Sequence, residues 1–122
     1  MWKIRQEQVD ALSRGVMEGF ERRAVGHCRR VLTQQVRPYT DAQLRERVRA
    51  CLPRAAPYGL TTEYEVLCFV DTSFLLGEWF DRDPVHAWAL QVLQDSKLTP
   101  EERADLLLER ACNCQLDSGA VR

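Results

Sequence analysis

The sequence predicts an all-α protein: one domain, a bundle of five or six helices around a central apolar helix. Three observations predict it. Ala, Leu, Arg, Glu and Gln are plentiful, and strand-like alternation is absent. Apolar residues recur at spacings of three and four along the chain. One segment, Tyr58 to Gly77, is the most apolar of all, and its middle reads as a helix from Glu63 to Leu76.

That central helix carries its own boundaries. Thr62 is a good N-cap and Glu65 stands three residues on, the capping-box spacing. Gly77 falls just past the last apolar residue, where a left-handed residue is expected. Tyr64, Val66, Leu67, Cys68, Phe69, Val70, Phe74, Leu75 and Leu76 cover most of its circumference. A helix apolar nearly all round belongs inside, packed on several sides. Glu65, Asp71, Thr72 and Ser73 interrupt it too often for a bilayer span, and it is too short for one.

The other elements follow in chain order. A first helix is expected from near Arg5 to Thr33 or Gln34, with Val9, Leu12, Val16, Phe20, Ala24, Cys28 and Val31 as its buried stripe. Gly15 and Gly19 each weaken it by about 1 kcal/mol relative to Ala, and a break near Ser13–Gly15 would divide it in two. Trp2 and Ile4 either fold back on the core or stay exposed for a partner. Val36–Tyr39 is a connector, because Pro38 disfavours helix at Arg37. Thr40 and Gln43 form a second capping box, opening a helix with Leu44, Val48, Cys51 and Leu52 inward. Pro53 should kink or end it. After the central helix, Asp83 and Pro84 start another, carrying Val85, Trp88, Ala89, Val92 and Leu93. Thr99-Pro100-Glu101-Glu102 starts the last, which should reach about Cys112 with Ala104, Leu107, Leu108 and Ala111 inward. Residues 1–122 read as one domain, with Asp117–Arg122 a frayed tail.

The net charge of −1 hides an asymmetry. Residues 1–60 hold 12 Lys and Arg against 6 Asp and Glu; residues 61–122 hold 5 against 12. Either the halves pack on each other with complementary fields, or the Arg-rich face meets an acidic partner. The arginines are spread around helices with no recognised binding motif, so nucleic acid is not the expected partner. Five cysteines without regular spacing fit a reducing cytoplasm, and the charged N-terminus is not expected to serve as a signal peptide.

Chemistry-bearing residues are sparse. Cys112-Asn113-Cys114 resembles half a metal site, but His27 and His86 are isolated, and no metal or cofactor is expected. His27 and Cys28, adjacent on a helix, splay about 100° apart and cannot form a working pair alone. His86 stands three residues after Asp83, a spacing that suits a capping contact. Asp71 is the carboxylate most apt for an unusual environment, with Arg45, Arg47 or Arg49 as its expected partner. No catalytic residues are assigned, and no enzyme is expected. The aromatics Trp79, Phe80 and Trp88, near Tyr58 and Tyr64, are either core or the edge of a groove that receives a partner. Trp79, Phe80, Trp88 and the arginines Arg22, Arg23 and Arg30 of the first helix are the candidate partner-binding residues.

The order of landmarks resembles a known group. Tyr58-Gly59-Leu60-Thr-Thr-Glu precedes an apolar helix ending Phe74-Leu75-Leu76-Gly77. Phe80-Asp81, Asp83-Pro84 and Trp88-Ala89 follow, then Leu98-Thr-Pro-Glu-Glu-Arg-Ala-Asp-Leu-Leu with Glu109-Arg110-Ala111. With Gln-Glu-Gln-Val-Asp-Ala-Leu ahead of an Arg-rich helix, the chain resembles small proteins encoded beside bacterial type VI secretion effectors, near spike (VgrG), PAAR and adaptor-chaperone genes. The resemblance implies a cytoplasmic co-chaperone that binds an effector or its adaptor and assists loading onto the spike. The alternative is an immunity protein that neutralises a cognate toxin. The oligomeric state is left open.

Overall fold

Three capping boxes set the starts of three helices. Gln43 N–H donates to Thr40 Oγ1 at 3.1 Å, while Thr40 N–H donates back to Gln43 Oε1 at 2.8 Å. Thr62 with Glu65 and Thr99 with Glu102 repeat the exchange. Each box satisfies backbone N–H groups that a helix start leaves without a partner. The computed structural model describes the backbone of residues 14–121 and the side chains of residues 16–114. Within them lie α1 (Arg14–Val31), α2 (Thr33–Val36), α3 (Asp41–Ala55), α4 (Glu63–Leu76), α5 (Ala87–Leu93) and α6 (Pro100–Val121). Single 3₁₀ turns occupy Ala56–Tyr58, Phe80–Arg82 and Pro84–His86, and no strand occurs among the described residues. The protein is an all-α bundle around the expected central helix, α4.

α4 packs most extensively on α6 and also meets α3, α1 and α2. Val66, Cys68, Phe69 and Val70 are buried, and so are Asp71, Thr72 and Ser73. The last two bury their hydroxyls by donating back into their own helix. Thr72 Oγ1 bonds the Cys68 carbonyl at 2.8 Å and Ser73 Oγ the Val70 carbonyl at 2.6 Å. Phe69 meets Phe80 with ring centroids 4.9 Å apart and Tyr58 at 6.4 Å. Burying a side chain of this size contributes about 2–3 kcal/mol.

Several boundaries and faces differ from the expectations. Trp2, Ile4, Val9 and Leu12 lie outside the described residues, and the expected break near Ser13–Gly15 falls at their edge. α1 stops at Val31, with a bend at Leu32 before the single turn of α2. The buried stripe takes Leu32 inward and leaves Val31 and Val16 exposed, while Val25 and Glu21 join Phe20, Ala24 and Cys28 inside. A 3.6-residue period drifts off a fixed spacing of threes and fours, so the stripe's ends miss the core. Pro53 lies inside α3 without ending it at once; the helix reaches Ala55 and tightens into the 3₁₀ turn. Pro53 and Arg49 are both exposed, so water can serve the Arg49 carbonyl that loses its bond. Gly77 ends α4 at φ 120°, ψ 152°, a positive φ but not the left-handed helical conformation expected. Val85 is 79% exposed because the Asp83–Pro84 start makes a 3₁₀ turn before α5 begins at Ala87. α6 continues past Cys112 to Val121, with no proline inside it beyond Pro100 to stop it.

The two halves are held together by charge as well as by core. Four ion pairs among the described residues join a base from residues 1–60 to an acid from residues 61–122. They are Arg23–Glu63 and His27–Asp71, both 2.7 Å, Arg47–Glu78 at 3.9 Å, and Arg54–Asp81. The exposed Arg23–Glu63 pair contributes little, at most about 1 kcal/mol, whereas Asp71 and Asp81 are buried and depend on their partners. The pairs' common direction is what turns the charge asymmetry into complementary packing.

Candidate functional site

The connector between α2 and α3 is shaped by one arginine. Arg29 donates to the Val36 carbonyl at 3.1 Å and the Tyr39 carbonyl at 2.7 Å, and it also bonds Asp41. This places the Tyr39 ring edge-on to Phe74, 5.6 Å away. Arg47 of α3 completes the arrangement. Its guanidinium lies 4.4 Å from the Phe74 ring centroid and 5.9 Å from that of Tyr39, and it donates to Ser73 Oγ at 3.2 Å. Around these three side chains opens a surface groove of about 450 Å³, lined also by Gln43, Glu46, Ala50 and Glu78. Gln43, Glu46, Arg47 and Ala50 form one face of α3, at spacings i, i+3, i+4 and i+7. Phe74, on α4, and Glu78, in the turn after it, line the groove across from that face.

Next to the groove stands a closed version of the same motif. Arg54 lies over the rings of Trp79 at 4.2 Å and Phe69 at 5.4 Å. It bonds the buried Asp81 carboxylate and donates to the Glu78 carbonyl at 2.6 Å. Tyr58 OH donates to the other Asp81 oxygen at 2.9 Å, and burial, reinforced by Asp81, pushes the Tyr58 phenol up. Arg103 reaches from α6 to the Tyr58 carbonyl at 2.9 Å.

Asp71 does not pair with Arg45, Arg47 or Arg49. Its Oδ2 lies 2.7 Å from His27 Nε2, and its Oδ1 is buried without a hydrogen-bond partner among the described residues. Arg47 is taken by Ser73 and Phe74, and Arg49 by Glu21 at 2.5 Å. The hydrogen bond to Asp71 raises the His27 pKa despite opposing burial and the nearby Arg30 charge. Beside this pair the Cys28 thiol is pushed up to about 12 by burial and by Asp71. Burial pushes Cys51 up to about 11 and Cys68 to about 12. Thiols in this state are protonated, and the thiolate is the nucleophilic form. Among the described residues no three His, Cys, Asp or Glu side chains are placed to hold a metal ion. Nor is any helix among them long and apolar enough to cross a membrane.

The residues singled out for a partner scatter. Phe80 turns into the core beside Phe69. Trp79 remains 53% exposed, stacked by Arg54 and by Arg82 at 5.3 Å. Trp88 is half-buried under Arg110, 4.7 Å from its ring. Tyr64 sits on the surface bonded to Asp105, which raises its phenol pKa. Arg23 is engaged by Glu63, whereas Arg22 and Arg30 are exposed. None of the six lines the groove; Trp79 follows the lining residue Glu78 in sequence and stacks on Arg54 and Arg82 instead. The groove residues Tyr39, Gln43, Glu46, Arg47, Ala50 and Phe74 were not anticipated. Only the outward α3 spacing, with one small residue among long polar ones, hinted at them.

The chain matches no protein-family model, no curated protein and no solved structure.

Proposed function

We propose that this chain is an accessory protein that acts by binding another protein. In the setting implied by its resemblance, it is a cytoplasmic co-chaperone for a type VI secretion effector or the effector's adaptor, assisting loading onto the VgrG/PAAR spike. The observation that carries the reading is the groove between α3 and the end of α4. It is open at the surface and floored by aromatic rings with an arginine laid over them. Aromatic and arginine side chains dominate the energetics of protein interfaces. Grooves between helices are a common seat for a partner segment.

Co-purification with the effector and the adaptor encoded beside it tests the reading. The expected result is capture of one of them, loss of effector secretion when this protein is deleted, and unchanged toxin activity in its presence. Capture of neither would contradict it. Inhibition of the toxin, with protection of cells that express it, would replace it with the immunity-protein alternative.

A further inference from the structure

The geometry points to an amphipathic helix with lysine or arginine along its flanks as the segment that seats in the α3–α4 groove. The inference rests on the reading of this site as a protein-binding groove. Shape and backbone chemistry favour a helix. The α3 wall and Phe74 belong to helices whose backbone groups are bonded internally, and the Tyr39 and Glu78 carbonyls are taken by Arg29 and Arg54, so an extended peptide would find no ladder of donors and acceptors. A helix brings its own backbone satisfied and needs only side-chain contacts. Ala50 is the small residue on the α3 wall, and it lets a second helix approach closely. Tyr39 and Phe74 offer the apolar floor.

Charge selects the flanks. Arg47 directs its guanidinium to the floor, against Phe74 and Ser73. The carboxylates Glu46 and Glu78 stand on opposite walls. Among the described residues Glu46 has no ion-pair partner, and Glu78 meets only Arg47, at 3.9 Å. Two acids against one already engaged base leave the groove with a net charge of about −1, which attracts a basic rim and repels an acidic one.

Fluorescence anisotropy with two designed helical peptides tests this. Both carry the same leucine face; one has lysines beside it and the other glutamates. The lysine peptide should bind the wild-type protein and the glutamate peptide should not. Combining Glu46→Gln with Glu78→Gln should weaken the lysine peptide about five-fold, the scale of two exposed ion pairs. Ala50→Trp, on an exposed helix position, should fill the groove and weaken it more than about ten-fold while the thermal melt stays unchanged. Equal binding of the two peptides, binding of neither, or indifference to Ala50→Trp would overturn the inference. The peptides carry no effector sequence. A failure here with the effector still captured therefore removes the groove assignment alone, and the converse removes the secretion role alone.

Discussion

Arg47 and Arg54 stand two turns apart on one face of α3, and each lays its guanidinium on aromatic rings. Their own exposures are close, 15% and 11%; their acids differ. Asp81 is 3% exposed and is bonded by Arg54 and Tyr58 together, whereas Glu78 is 42% exposed and 3.9 Å from Arg47. One stack is sealed by a buried carboxylate and ties α3 to the segment after α4. The other has its acid in solvent and becomes the floor of a groove. The same pair of chemistries thus serves as a strut or as a binding surface according to where the carboxylate sits.

Substitution at the two arginines sharpens the contrast. Arg54→Ala strands Asp81 in the interior and should cost about 3–5 kcal/mol in urea denaturation. That is a large share of the stability expected for a domain of this size. Arg47→Ala leaves no buried charge behind and should cost about 1 kcal/mol, the scale of a cation–π contact with a weak ion pair. Equal losses would erase the distinction.

His27–Asp71 is an intermediate case, with the acid 4% exposed and the base 25%. The folded pKa of His27 lies above its ordinary 6.5 because the charged ring is bonded to Asp71. Its contribution is therefore fully present below about pH 6.5 and is lost as pH rises through the raised folded value. Denaturation midpoints taken from about pH 6 to pH 9 should fall with pH in the wild type, and His27→Gln should flatten this part of the profile. A fall of the same size in the variant would assign the effect to another group. A backbone effect, comparable to that of Arg47→Ala, is expected at Gly59, whose φ of +82° disfavours any side chain. Gly59→Ala should cost about 1–2 kcal/mol in the same assay, and its added carbon would meet Pro100 at 3.4 Å.

The fold was largely readable because its signals are local. Thr40, Thr62 and Thr99, each with its partner three residues on, set helix starts that needed no knowledge of the neighbours. What could not be read depends on which helix meets which. Trp79 and Phe80 are adjacent and equally apolar, yet one faces solvent and the other the core, because the 3₁₀ turn turns Phe80 toward Phe69. Asp71 found His27 rather than an arginine because α1 lies against α4, and sequence separation carries no trace of that. The groove escaped for the same reason. Gln43, Glu46, Arg47 and Ala50 look like an ordinary solvated face until Phe74 and Tyr39 are set beside them.

The most direct measurement is amide hydrogen exchange on the protein bound to the effector or adaptor that it captures. The account predicts slowed exchange in residues 39–50 and 74–78, with α6 unchanged. Slowing confined to α6 and the Trp88 surface, with the groove untouched, would contradict it.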